Sequence, residues 1–249
     1  MKKTMIVLLN VCLVLAVSIL PAQAGRIVLA NDEWTLSDSG FSQPGTQSGQ
    51  FALNVANWFT GSTGSFLVDS NNFGLTGSSL STVMTGHGYG WTTISTFDPN
   101  PTLVYLQGFS AVFLTGDNVV NNNTLISYVN GGGNVFLEGG TSSMDPSAWN
   151  TFLNAFGLQY GPNYNGIGGT MAISSTHPIF TNVSFLYQNN GNNTLDIAPS
   201  DPRDQVLITY NGNGLYAVYD SGNTTVPEPT TMMLLGFGLI GLAGVRRFK

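Results

Sequence analysis

Four things are scarce in this 249-residue chain: cysteine, histidine, positive charge and long apolar runs. The single cysteine, Cys12, excludes any intramolecular disulfide and any zinc or iron–sulfur centre built on several thiolates. Lys and Arg together number 7 against 13 Asp and Glu, and only 8% of residues are charged. That balance excludes nucleic acid as a partner, because neutralising phosphates needs clustered cations. No nucleophile elbow, phosphate-binding loop, dinucleotide fingerprint or zinc-protease helix motif occurs, so those nucleotide and hydrolase chemistries have no sequence support. What replaces charge is neutral polarity: 31 Gly and 25 Asn, with many Ser and Thr. At 42% hydrophobic, the chain still has enough apolar surface for one sizeable core.

The few cations are unevenly placed. Residues 1–24 hold Lys2 and Lys3, and residues 226–249 hold Arg246, Arg247 and Lys249 against Glu228. Between them, residues 25–225 carry only Arg26 and Arg203 against 12 carboxylates, a charge of −10. The first segment has a basic start, an apolar stretch from Met5 to Leu20, Pro21, and a small-residue site at Ala22–Ala24. This order predicts a signal peptide cut by signal peptidase between Ala24 and Gly25. Cys12 would leave with it.

The last segment reads Val226, Pro227, Glu228, Pro229, two threonines, the apolar run Met232–Val245, then Arg246, Arg247, Phe248 and Lys249. The apolar run makes roughly 21 Å of helix at about 1.5 Å per residue, short of a ~30 Å hydrocarbon core. Counting from Thr230 and letting the basic tail snorkel narrows the gap, so a transmembrane helix is expected over 230–245 with its basic end cytoplasmic. Pro-Glu-Pro, a short glycine-containing apolar segment and a terminal Arg-Arg pair, in this order, resemble the PEP-CTERM sorting signal of Gram-negative bacteria. The resemblance implies passing association with the inner membrane and processing by a membrane-embedded exosortase. It also implies a destination at the cell surface or extracellular matrix of exopolysaccharide-producing, biofilm-forming cells.

The middle 201 residues alternate strand-like and helix-like patterns. Residues 111–115 form a short apolar run, 121–129 have near-helical spacing with Asn residues available as caps, 131–133 are a triple-glycine stop, and 134–138 are apolar again. Strand, helix, stop and strand in that span predict a βαβ unit. Strands are also expected at 26–30, 65–69 and 170–174, with helices at 50–59 and 146–156. The Asn-Gly-Asn-Gly stretch between 205–210 and 214–219 predicts a hairpin. The expected fold is α/β, a doubly wound, mostly parallel sheet with an antiparallel C-terminal hairpin; an all-β sandwich is the alternative. Residues 125–140, with Thr176–Phe180 downstream, resemble the class I glutamine-amidotransferase-like, flavodoxin-like domains. In that family the turn equivalent to Glu138–Thr141 carries the nucleophilic cysteine; no thiol stands there, which removes amidotransferase chemistry but not the fold.

Candidate sites are few. Asp32, Glu33, Asp117 and Glu138 fall where strands are expected to end, and Asp69 close by. Hard oxygen ligands gathered at that edge could bind Ca²⁺, or Asp and Glu could stand there as turn and cap formers. His87 lies in a glycine-rich stretch, and Pro178 makes His177 a turn residue. Ser142, His177 and a carboxylate can be combined into a triad only on paper. Asp196, Asp201 and Asp204 read as a solvated Pro/Asn-rich connector. Trp34, Tyr89, Trp91, Tyr160 and Tyr164 could stack on sugar rings or pack inside. The reading is an exported envelope protein with a non-catalytic structural or polysaccharide-binding domain. The alternative is an envelope hydrolase working through strand-end carboxylates.

Overall fold

The computed structural model describes residues 25–222 apart from 117, 141 and 142, and Asn163 by its backbone alone. The predicted signal peptide, the 230–245 helix, the sorting residues Val226–Pro229 and Arg246–Arg247, and Asp117 and Ser142 lie outside the described residues. No helix among the described residues is long and apolar enough to cross a membrane.

Eleven strands and seven short helices are described, so the mixed α/β expectation holds and the sandwich does not. The helices are α1 (Asp38–Ser42), α2 (Ser48–Thr60), α3 (Phe73–Thr76), α4 (Ser78–Gly86), α5 (Leu103–Leu106), α6 (Asn122–Asn130) and α7 (Asp145–Asn154). Seven strands make one sheet: β1 (Arg26–Ala30), β2 (Ser65–Val68), β3 (Gly90–Thr93), β4 (Ala111–Thr115), β5 (Asn134–Glu138), β10 (Asp204–Tyr210) and β11 (Asn213–Asp220), in the order β10-β11-β1-β5-β4-β2-β3. Every neighbouring pair from β1 to β3 is parallel, and β11 alone runs against the rest. Two antiparallel pairs lie apart: β6 (Leu158–Tyr164) with β9 (Asn192–Asp196), and β7 (Gly168–Ala172) with β8 (Phe185–Asn189).

Local sequence explains the central unit. The Asn121 side chain accepts from the N–H groups of Asn123 and Thr124, capping α6. The glycine stop then packs tightly: a Cβ at Gly133 would fall 2.4 Å from the Tyr128 ring. The C-terminal hairpin turns on Asn211 and Gly212, both with positive φ (49° and 79°), the combination a type I′ turn needs.

Strand alternation sends side chains to two cores. Val28, Phe66, Phe113 and Phe136 pack under α2 and α4 through Phe51, Val55, Leu80 and Met84. Ile27, Leu67, Val112 and Leu137 pack on the other face under α6 and α7 through Leu125, Trp149, Phe152 and Leu153. Helices on both faces make the central strands continuous apolar runs, as buried parallel sheets require.

Candidate functional site

Where the chain leaves β1 it heads for the α2 face; where it leaves β5 it heads for the α7 face. β1 and β5 are neighbours, in register from Arg26↔Asn134 to Ala30↔Glu138. Connections that diverge in this way open a crevice at the carboxyl ends of the strands, the usual ligand position in open α/β sheets. The sequence places Asn31, Asp32 and Glu33 just after β1 and Glu138 at the end of β5, so three of the predicted carboxylates stand at this edge, while Asp117 lies outside the described residues.

They are not, however, on an open rim. Asp32 and Glu138 are 0% exposed and Glu33 2%. The segment joining β8 to β9 closes over them. Asn192 N–H donates to the Asn31 carbonyl (2.9 Å), and Asn192 Nδ2 to Asp145 Oδ2 (2.9 Å). Asp32 is the fastening point: its carboxylate accepts from Trp34 N–H (2.8 Å) and from Asn189 N–H. Gly191 fits so closely that a Cβ there would lie 2.0 Å from the Asn31 carbonyl oxygen. On the α3 side, Glu33 Oε2 accepts from Asn72 Nδ2 (2.7 Å), and Gly74 sits against Glu138, with room for no Cβ. Among the described residues neither Glu138 side-chain oxygen has a hydrogen-bond partner. Asp145 Oδ2 also accepts from Gly140 N–H (2.7 Å), and Tyr160 donates to the Ala30 carbonyl (2.9 Å).

Electrostatics follow from this burial. Burial raises Asp32 to about 6, against the lowering effect of the N–H groups it accepts. Glu138 is pushed well above the ordinary carboxyl range, first by burial and then by the charges of Glu33 and Asp32. Asp69, 1% exposed just after β2, is raised to about 6 by burial; its Oδ1 accepts from Asp98 N–H (3.1 Å). Among the described residues no Lys or Arg offsets the crevice, because Arg26 and Arg203 stand at the opposite, amino edge of the sheet. Arg26 opens β1 and pairs with Asp220 (3.2 Å), and Arg203, just before β10, pairs with Asp201 (2.6 Å).

The other predicted residues are scattered. His177 is also at the amino edge, edge-on to Trp58 at 5.2 Å, and caps the 3₁₀ turn Pro178–Phe180, as its turn reading expects. His87 ends α4 with its ring nitrogen 2.9 Å from the Val83 carbonyl. The acidic connector departs from its reading: Asp204 opens β10, is 5% exposed, and is raised to about 7 by burial and by Asp196 beside it. Tyr160 is fully buried and Tyr89 nearly so, whereas Tyr164 is 42% exposed and Trp34 and Trp91 are partly exposed. Among the described residues no group of three or more His, Cys, Asp or Glu is arranged to hold a metal ion. What sequence reasoning missed was the cover: Asp145, Asn189, Gly191 and Asn192, which carry no catalytic or ligand-binding pattern of their own.

Residues 225–247 match the family model of the PEP-CTERM protein-sorting motif. The chain thus carries a PEP-CTERM tail, which implies export, membrane association before processing, and an exosortase as the processing enzyme. The match spans about a tenth of the chain and leaves the domain unassigned. No curated protein and no solved structure matches the chain, and the amidotransferase-like resemblance gains no support from these comparisons.

Proposed function

We propose that residues 25–222 form a non-catalytic, polysaccharide-binding module of the cell envelope or extracellular matrix. Removal of the signal peptide would release its N-terminus, and exosortase its C-terminus. One observation carries this reading: at the sheet's ligand edge Asp32 and Glu138 are fully buried, and Asp32 is fastened to backbone N–H groups. A general acid or base has to come within hydrogen-bond reach of a substrate, and Asp32 and Glu138, at 0% exposure, have no such access. A catalytic cysteine is also missing, since the only one is Cys12.

The test compares the mature exported protein with its Asp32→Asn and Glu138→Gln variants, for retention on polysaccharide gels and for release of reducing ends. A binder is retained in all three forms and releases none. Turnover by the wild-type that both variants lose would establish the hydrolase reading instead. That second reading has one observation in its favour: Asp32 and Asp69, both near 6, sit where acid–base groups are useful.

A further inference from the structure

Beside the sealed crevice, on the outer surface, lies a feature that neither the tail nor the carboxylates explain. Four aromatic rings from three separate segments stand exposed or partly exposed together. Phe73, on α3, is 44% exposed, and its ring centroid lies 4.9 Å from that of Trp34, edge-on. Trp34 lies 6.4 Å from Tyr187 on β8. Phe185 is two residues before Tyr187 on the same face of β8 and 43% exposed, while Leu186 and Gln188 between and beyond them are fully buried. Strand geometry puts side chains two apart at roughly 6–7 Å, so the rings continue as a row.

The Phe73 end of this row opens into a cavity of about 310 Å³ lined by Ser37, Asp38, Ser39, Phe73, Thr76 and Gly77, a size in the range of small-ligand sites. Three of the six residues in that lining, Ser37, Ser39 and Thr76, carry hydroxyls. Its one charge, Asp38, is preorganised: it accepts from Ser79 N–H (2.8 Å) and Ser78 N–H (3.2 Å), and these bonds hold its carboxyl below the usual range. Ser78 Oγ also donates to Asp38 Oδ2 (3.4 Å). Aromatic faces joined to fixed hydroxyl and carboxylate groups suit a pyranose, whose ring face is C–H-rich and whose edge carries hydroxyls. Charge narrows the class further. A domain at −10, with both arginines already paired, repels uronic-acid, sulfated and phosphorylated polymers.

We infer that the row Phe73, Trp34, Tyr187 and Phe185, with the cavity at its end, is the binding subsite for a neutral polysaccharide. This rests on the polysaccharide-binding reading above and gives it a place and a ligand class. Affinity electrophoresis of the mature exported protein tests it, with dextran, laminarin, galactomannan and xylan as neutral probes and alginate as the anionic one. The expected result is retardation by at least one neutral probe and none by alginate. Phe73→Ala and Phe185→Ser should each weaken retardation by about tenfold or more while the melting temperature stays put, because both side chains are exposed. Binding that survives both exposed-site variants and Trp34→Ala would overturn the assignment of the site and leave the binding reading standing. Absence of binding to every probe would overturn both. Equal retardation by alginate would overturn the neutral class.

Discussion

The burial of Asp32 and Asp69 predicts a domain that is more stable in mild acid than at neutral pH. Each carboxyl is raised from 3.8 to about 6. Between those values the folded protein holds a proton that the unfolded chain has released, so stability falls as pH rises through the window and levels off above it. One such group contributes about 1.4 kcal/mol per pH unit. Comparing pH 8 with pH 5, each crosses about one unit of its window, so the two together account for roughly 3 kcal/mol. For a domain near 200 residues, ~1 kcal/mol moves the melting temperature by about 2–4 °C, giving a rise of roughly 6–12 °C on acidification. Asp204, raised to about 7, and Glu138, raised well above its ordinary value, act in the same direction. His177 opposes them, since burial lowers its pKa and its protonation in acid favours unfolding. Thermal melts followed by circular dichroism at pH 5, 6, 7 and 8 measure the effect, and Asp32→Asn should remove about 1.4 kcal/mol of it, or roughly 3–6 °C. A melting temperature that climbs from pH 5 to pH 8 would refute the reasoning. It would mean that a cation, not protons, neutralises the crevice, or that the crevice is open to water.

Three further substitutions probe particular contacts. Gly191→Ala sets a methyl group against the Asn31 carbonyl and should cost about 2–4 kcal/mol in urea unfolding, because backbone lies on both sides of the clash. Gly212→Val, at a φ of 79°, should cost about 1–2 kcal/mol by straining the hairpin turn, with the sheet otherwise retained in far-UV circular dichroism. Asn121→Ala removes the cap of α6 and should lower unfolding free energy by about 1 kcal/mol, an effect that Asn121→Asp largely restores.

The sequence was most legible where one segment contains its own explanation. β4, α6 and β5 need only two apolar runs, an Asn cap and a glycine stop, and all three elements lie within a residue of where these signals place them. The Asn211–Gly212 turn is equally local. Legibility fell where partners are distant. β3 has mostly exposed side chains and no apolar alternation, and pairs only because β2 lies beside it. α4 is a Ser/Thr-rich helix whose N-terminus is held by Asp38, forty residues earlier. The same limit governed the site. Asp32, Glu33 and Glu138 do stand where β1 and β5 end, a position legible from the apolar runs before them. Their burial depends on the segment joining β8 to β9, which docks on Asn31 and Asp32 from far along the chain and has no periodic signature. Trp34 was recognisable as a ring that could face a sugar, but its neighbours Phe73 and Tyr187 come from elsewhere in the chain and only the fold unites them.

Maturation at both ends, as proposed, would leave a strongly acidic α/β domain to act outside the cell. Intact-mass spectrometry of the protein isolated from its native cells tests this most directly. The expected species begins at Gly25 and ends near the Pro227–Pro229 motif, without the apolar run that starts at Met232. A species that retains Arg246, Arg247, Phe248 and Lys249 at its C-terminus would contradict exosortase processing and make the tail a permanent anchor.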